Sequence, residues 1–315
     1  MIEEEGGLNK IDVDLITKLG GISLKNPVLV AAGCFGYGEE YSKIIDLNKL
    51  GGIITKTITL HPKEGNPPPR LVETPAGLLN SIGLENPGVD IFIKEKLPFL
   101  QKFHTAVIVS IGGEKEEDYL RVAEKLEGKE GISALEINVS CPNVKVGGYL
   151  LGCSADLVFS LTKHLKGVSS FPLIVKLTPN VTDIVEIAQA AKEGGADAVS
   201  LINTILGMAV DVECWRPKLG NVIGGLSGPA IKPVAVRMVW EVHRRLNVPI
   251  LGMGGIMRSE DAIEFILAGA SAVAIGTANL IDPQVSLKII EGIKSYMKRK
   301  GIKGVSQLIG KVRVN

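Results

Sequence analysis

Four apolar runs of this chain end in residues that can move a proton, hold a charge or offer an amide. "GIITKT" carries Lys56, "EINVSCPN" carries Asn138 and Cys141, "LIVKLT" carries Lys176, and "AVSLINT" closes with Asn203 and Thr204. In "EINVSCPN", Pro142 has no N–H for a ladder, so the strand stops and Cys141 falls where the chain leaves a sheet. A thiol there is either a small packed hydrophobe or a base. As a base it must lie near its substrate and be deprotonable, and the ordinary cysteine pKa of about 8.5 suits mildly alkaline operation. A lysine within an apolar strand is costly to bury unpaired, so Lys56 and Lys176 must point at something polar. Asn138 and Asn203 satisfy either backbone groups or a ligand.

Glycines mark a second kind of site. "GMGGIMRSEDA" (252–262) and "AIGTANL" (274–280) each follow an apolar run. Glycine lets a ligand approach the backbone, and a following helix start offers N–H groups to an anion. A phosphate grip, an internal lysine and several amides suit flavin mononucleotide (FMN), with Lys176 as the cation that stabilises the reduced flavin near N1 and O2. Pyridoxal phosphate would also want a lysine, but it leaves the cysteine and the asparagines without a task. Cys34, in "AAGCFGYG", reads as a packed thiol, and the four histidines form no Ser–His–Asp order and no metal-ligand cluster. No metal site is expected.

The elements that must position these groups alternate. Strand candidates are 27–32, 52–57, 106–111, 134–139, 173–178, 198–203, 249–254 and 272–277. Their near-continuous Val and Ile fit parallel strands buried on both faces. Helix-period segments lie at 39–49, 88–101, 115–127, 154–166, 182–194, 230–245, 259–268 and 284–299. In the fifth, Thr182 or Asp183 caps and Gly194–Gly195 stop the helix. Eight strand–helix units without a linker predict a (β/α)₈ barrel as one domain over residues 1–315, with a doubly wound open sheet as the alternative. The long connections 57–87, 140–153 and 204–229 all follow strands, on the face where barrel enzymes build their sites. "PRLVETPAGLLNSIGL" predicts an antiparallel pair over the barrel mouth, and "VDLITKLGGISLKNP" a hairpin with a Gly20–Gly21 turn capping the other end.

Composition excludes several classes. Thirty-five Lys and Arg balance 34 Asp and Glu, a formal charge of +1, so no basic stripe for nucleic acid is expected. The apolar runs are strand-length, which speaks against a membrane span, and the acidic start "MIEEEGGLNK" is no targeting peptide. Four cysteines without C-x-x-C spacing leave no iron–sulfur or zinc framework and suit a reducing cytoplasm.

"NPVLVAAG", "NSIGLENPG", "EINVSCPNVK", "GGLSGPAIKP" and "GMGGI" together resemble the catalytic subunit of class 1B dihydroorotate dehydrogenases, in the right order over nearly the whole chain. The resemblance implies FMN-dependent oxidation of dihydroorotate to orotate in pyrimidine biosynthesis. Cys141 would be the base at C5 while hydride leaves C6. Lys56, Asn80, Ser81, Ile82, Gly83 and Leu84 would frame the substrate, and Asn138, Asn143, Asn203 and Thr204 would hydrogen-bond it. Ala32, Lys56, Thr57, Ser110, Asn138, Lys176 and Ile202 would contact the flavin, with Gly228, Gly254, Gly255, Gly276 and Thr277 along its phosphate tail. Ala32 and Ser110 stand where relatives usually carry serine and asparagine. The resemblance further implies a homodimer joined to a separate subunit carrying FAD and a [2Fe–2S] cluster that passes electrons to NAD⁺. The rival readings are a fumarate-reducing class 1A enzyme, a flavin barrel acting on transfer RNA such as a dihydrouridine synthase, and a non-redox phosphate-binding barrel.

Overall fold

The computed structural model describes residues 12–140, 145–146 and 149–314. Eight parallel strands close into a barrel: β1 (Val28–Val30), β2 (Gly52–Ile54), β3 (Ala106–Ile111), β4 (Ala134–Asn138), β5 (Leu173–Lys176), β6 (Ala198–Leu201), β7 (Ile250–Met253) and β8 (Ala272–Ile275). Each strand pairs with its neighbour in sequence, and β8 returns to β1 through Val273↔Val28 and Ile275↔Val30. The open-sheet alternative is excluded by that closure.

The strands are apolar on both faces because each face meets a different core. Leu29, Ile54, Ile108, Ala134, Ile174, Ala198, Leu251 and Ala272 pack inside the barrel, together with Leu19, Ile22 and Leu24 of the N-terminal hairpin. Val28, Ile53, Val107, Leu135, Val175, Val199, Ile250 and Val273 pack outward against the helices. Period-2 alternation therefore exists, but both of its faces are buried. The hairpin Thr17–Leu19/Ile22–Leu24 turns through Gly20 and Gly21, both at positive φ, and plugs the end of the barrel away from the site.

Seven of the eight helical segments fall close to their expected positions, among them Glu116–Leu126, Ala155–Val168, Ile184–Glu193, Lys232–Arg245, Ser259–Ala268 and Val285–Lys300. The Asp183 carboxylate caps the third of these at Val185 N, 2.8 Å away, and Gly194 ends it. Residues 89–100 are helical with a π-type stretch at Phe92–Lys96. The segment 39–49 is not a helix. It makes two 3₁₀ turns, Tyr41–Lys43 and Leu47–Lys49, because the Asp46 side chain accepts from Asn48 N and breaks the run between them.

The long connections after β2 and β6 form one structure. Leu71–Thr74 and Gly77–Asn80 pair as expected, and Gly77–Asn80 then pairs with Ile223–Ser227, which pairs with Ile205–Met208. This four-stranded antiparallel sheet lies over the carboxyl ends of the barrel strands. Glycine makes the fit: a Cβ on Gly225 would stand 2.0 Å from Thr204 Oγ1.

Ile174 is fully buried inside the barrel, one layer beneath Lys176. Ile174→Ala is expected to cost about 2–5 kcal/mol, read as a lower midpoint in chemical denaturation.

Candidate active site

Strand ends and lid enclose a cavity of about 520 Å³, and a smaller one of about 80 Å³ adjoins it. Ala32, Cys34, Asn203, Thr204, Ser227 and Thr277 line both, so the two form one trench across the barrel mouth. The larger part is walled by Lys56 and Thr57 from the end of β2 and by Asn80, Ser81, Ile82, Gly83 and Leu84 from the lid. The smaller part is walled by Lys176, Ile202, Gly228, Gly254, Gly255 and Gly276.

Asn138 and Ser110 stand one step behind this wall. Asn138 Nδ2 donates to Thr57 Oγ1 at 3.3 Å, and the Thr57 and Ser110 hydroxyls lie 2.9 Å apart. The Asn138 carbonyl also accepts from Tyr119 Oη. Both residues therefore shape the site by orienting Thr57. Cys141 and Asn143 lie outside the described residues. The chain is described as far as Ser140, which lines the larger cavity and donates from its hydroxyl to the Lys176 carbonyl at 3.1 Å.

The two lysines differ in setting. Lys56 is half-buried; its backbone N–H donates to the Gly36 carbonyl at 2.9 Å, and its side chain makes no hydrogen bond or ion pair with the described residues. Lys176 is buried, and its Nζ lies 3.7 Å from Glu136 Oε1, with no hydrogen bond closer among the described residues. Cys34 sits within reach of both ammonium groups. Burial raises its pKa above the ordinary thiol value, and the two lysines offset this only in part, so at neutral pH it stays protonated. It is half-buried and lines both cavities, rather than being the packed thiol the sequence predicts.

The glycine end was expected to bind an anion, and the structure shows what holds its loop in place. Asp261, the third residue of the helix Ser259–Ala268, reaches back to the loop before it: its Oδ2 accepts from Met257 N at 2.9 Å and Arg258 N at 3.1 Å. Those donors are spent on fixing the loop. Lys232 clamps the same carboxylate at 2.7 Å. Gly254 and Gly255 remain as the cradle, both at positive φ, and a Cβ on Gly255 would stand 2.8 Å from the Gly228 carbonyl. The donor set and the shape thus fit a flat phosphorylated ligand: a wide compartment rich in amides, a narrow glycine-walled one, and a buried lysine lining the narrow one.

Sequence reasoning missed Asn66, Thr178, Asn180 and Ser227, which also line the trench. Asn180 ties three segments together, donating to Thr178 Oγ1 and to the Thr204 carbonyl while accepting from Leu206 N. "LTPN" at the end of β5 was a readable sign, since polar residues past a barrel strand face the site. Asn66 and Ser227 sit in loops whose partners are far away in sequence.

The fold and site define a (β/α)₈ barrel enzyme whose lidded cavity lies at the carboxyl ends of its strands. The dihydroorotate dehydrogenase family profile matches residues 14–297, and the chain belongs to that family, oxidoreductases that convert dihydroorotate to orotate in pyrimidine biosynthesis. It is 53% identical over 303 residues to the dihydroorotate dehydrogenase B (NAD(+)) catalytic subunit of Thermoanaerobacter pseudethanolicus, covering 96% of this chain and 100% of that one. A protein of the same description from Bacteroides thetaiotaomicron is 52% identical over 301 residues, covering 96% and 99%. Among solved structures, the Eimeria tenella dihydroorotate dehydrogenase in complex with ferulenol superposes with a TM-score of 0.80 at 25% identity, over 97% of this chain and 90% of that one. No helix among the described residues is long and apolar enough to cross a membrane.

The Asp261 cap yields a pH prediction. Burial pushes its carboxyl up, but Lys232 and the two backbone donors outweigh this and hold it, net, below the usual carboxylate range. The same pairing raises Lys232. A depressed acid stabilises above its unfolded pKa of about 3.9 and loses that contribution as pH falls through its lower folded value. A raised base stabilises fully below about pH 10.4 and loses it only above. Asp261→Asn should therefore cost about 1–2 kcal/mol at neutral pH. It should also flatten the acid limb of stability against pH, measured by urea unfolding between pH 2 and 7.

Proposed function

We propose that this chain is the catalytic subunit of an NAD⁺-linked dihydroorotate dehydrogenase that binds FMN in the trench. The observation that carries the reading is the trench itself: Lys176 lines a glycine-walled pocket that adjoins a larger compartment lined by Asn80–Leu84. A phosphate tail fits beside Gly228, Gly254, Gly255, Gly276 and Thr277. A ring system fits against Ala32, Thr57, Lys176 and Ile202, leaving the lidded side for a small carboxylated pyrimidine.

When bound, FMN supplies the acceptor for the hydride that leaves C6 of dihydroorotate. The chain's residues do the rest. Cys141 takes the C5 proton as thiolate, which makes the C5–C6 double bond of orotate as the hydride departs. Asn80, Asn143, Asn203 and Thr204 hold the carboxylate and ring amides, and the backbone of Ser81–Leu84 sets the position of the ring. The Lys56 side chain, which lines the larger compartment and has no hydrogen-bond or ion-pair partner among the described residues, is available to the substrate carboxylate or the flavin. The lid excludes water, which strengthens each of these contacts.

The relatives at 52–53% identity are described as catalytic subunits of NAD(+)-linked B enzymes, and this favours the class 1B reading over a fumarate reductase. We assign to the partner an FAD and a [2Fe–2S] cluster, for which this chain has no cysteine framework. The assembly is then a homodimer with two partner subunits in the cytoplasm. NAD⁺ reduction by dihydroorotate only when the partner is added would support this, and rapid turnover of fumarate by the chain alone would refute it.

Cys141→Ala should keep the yellow cofactor but bleach with dihydroorotate under anaerobic stopped flow about 10²–10⁴ times more slowly. Bleaching at the wild-type rate would remove this thiol from the mechanism. Lys176→Ala should lose flavin more readily, read as a higher FMN dissociation constant in fluorescence titration.

A further inference from the structure

Glu136 lies on β4 two residues beyond Ala134 and therefore on the same inward face of the barrel. It is fully buried. Its Oε2 accepts from Ser200 Oγ at 3.0 Å, whereas Oε1 has no hydrogen-bond partner among the described residues. The nearest cation to Oε1 is Lys176 Nζ, 3.7 Å away. Beneath the pair the barrel is filled by Ala134, Ile174 and Ala198. A carboxylate with one empty oxygen is expensive in such surroundings, and packing alone would favour an apolar residue of the same size. No step of the proposed reaction uses it directly.

The geometry accounts for the cost. Lys176 separates Glu136 from the smaller cavity, so the ligand meets an ammonium whose charge is partly offset from below. We infer that Glu136 is a positioning residue that fixes the Lys176 ammonium at the trench floor and sets the flavin's reduction potential by offsetting part of its charge. This rests on the reading that FMN occupies the trench. A bare cation beside the ring would favour the reduced, anionic flavin, and a carboxylate behind it weakens that preference. The potential is thereby kept low enough for electrons to pass on to an acceptor outside the chain.

The test compares Glu136→Gln, which keeps the shape and removes the charge, with Glu136→Asp, which keeps the charge. The reduction potential of the FMN-loaded protein is measured by equilibration with a reference dye. Glu136→Gln is expected to shift the reduced-to-oxidised ratio at fixed dye potential about tenfold toward reduced flavin, ~30 mV for a two-electron couple. Glu136→Asp should stay near wild type. An unchanged or lowered potential in Glu136→Gln, or the same shift in both variants, overturns the inference. Should Glu136→Gln fail to fold, denaturation of the flavin-free Lys176→Met and Lys176→Met/Glu136→Gln proteins decides. Removal of the carboxylate should raise the midpoint of the Lys176→Met protein, and a further loss overturns the inference. A wild-type protein that takes up no FMN overturns the functional reading and this inference together, whereas a yellow wild type with an unresponsive Glu136→Gln overturns this one alone.

Discussion

Closure of the barrel is the constraint on which everything else depends. Once β8 pairs with β1, eight strands of one direction must end on one rim, and whatever follows each strand is delivered to the same place. Lys56, Ser110, Asn138, Lys176 and Asn203 are spread over almost 150 positions of sequence, yet each lies at or just past the end of a barrel strand. The ladder spaces them, and the hairpin plug at the far end makes the opposite face inert. No single contact at the rim has to create the site, because the sheet geometry has already gathered it.

The barrel interior changes character along its axis. Its lower layers are Leu, Ile and Ala, and its upper layer is Glu136, Lys176, Ser200, Ser110 and Asn138. Polar groups this well buried are tolerated only when each has a partner or a ligand to serve. Thr57, Ser110 and Asn138 satisfy one another, and Glu136 leans on Ser200 and Lys176. The rigidity of strands suits this task. Groups that must hold a fixed electrostatic field belong on elements that cannot drift.

Much of this was legible in the sequence, and the reasons for the failures are physical. The strands could be read because burial on both faces leaves uninterrupted Val and Ile. The helices could be read where caps and period agreed, as at Asp183 and Gly194. The segment 39–49 misled because its apolar spacing was helical while Asp46 offered the backbone a local bond. The pairing of 77–80 with 223–227 could not be read, since nothing local in either stretch names a partner more than 140 residues away. The role of Asp261 was invisible for another reason: "RSED" reads as a helix start, and only the fold shows that the third residue of that helix reaches back to fix the loop through Met257 N and Arg258 N. Lys176 was found because a lysine breaks an apolar run. Glu136 breaks one too, in "ALEINV", but the cysteine five positions later drew the attention.

The division of chemistry between strand and loop follows from what each group must do. The roles proposed for Lys176 and Glu136 work through charge at a distance, which is useful only if their positions are constant, and both belong to the hydrogen-bonded ladder of β4 and β5. The proposed base must meet a substrate that enters, reacts and leaves, and the sequence sets Cys141 past the end of β4, just before Pro142, which cannot continue the strand. Ser140 joins the two regimes, since its hydroxyl reaches the carbonyl of Lys176 itself. The residue that precedes the proposed base in the chain is therefore tied to the backbone of Lys176, at the junction of β4 and β5.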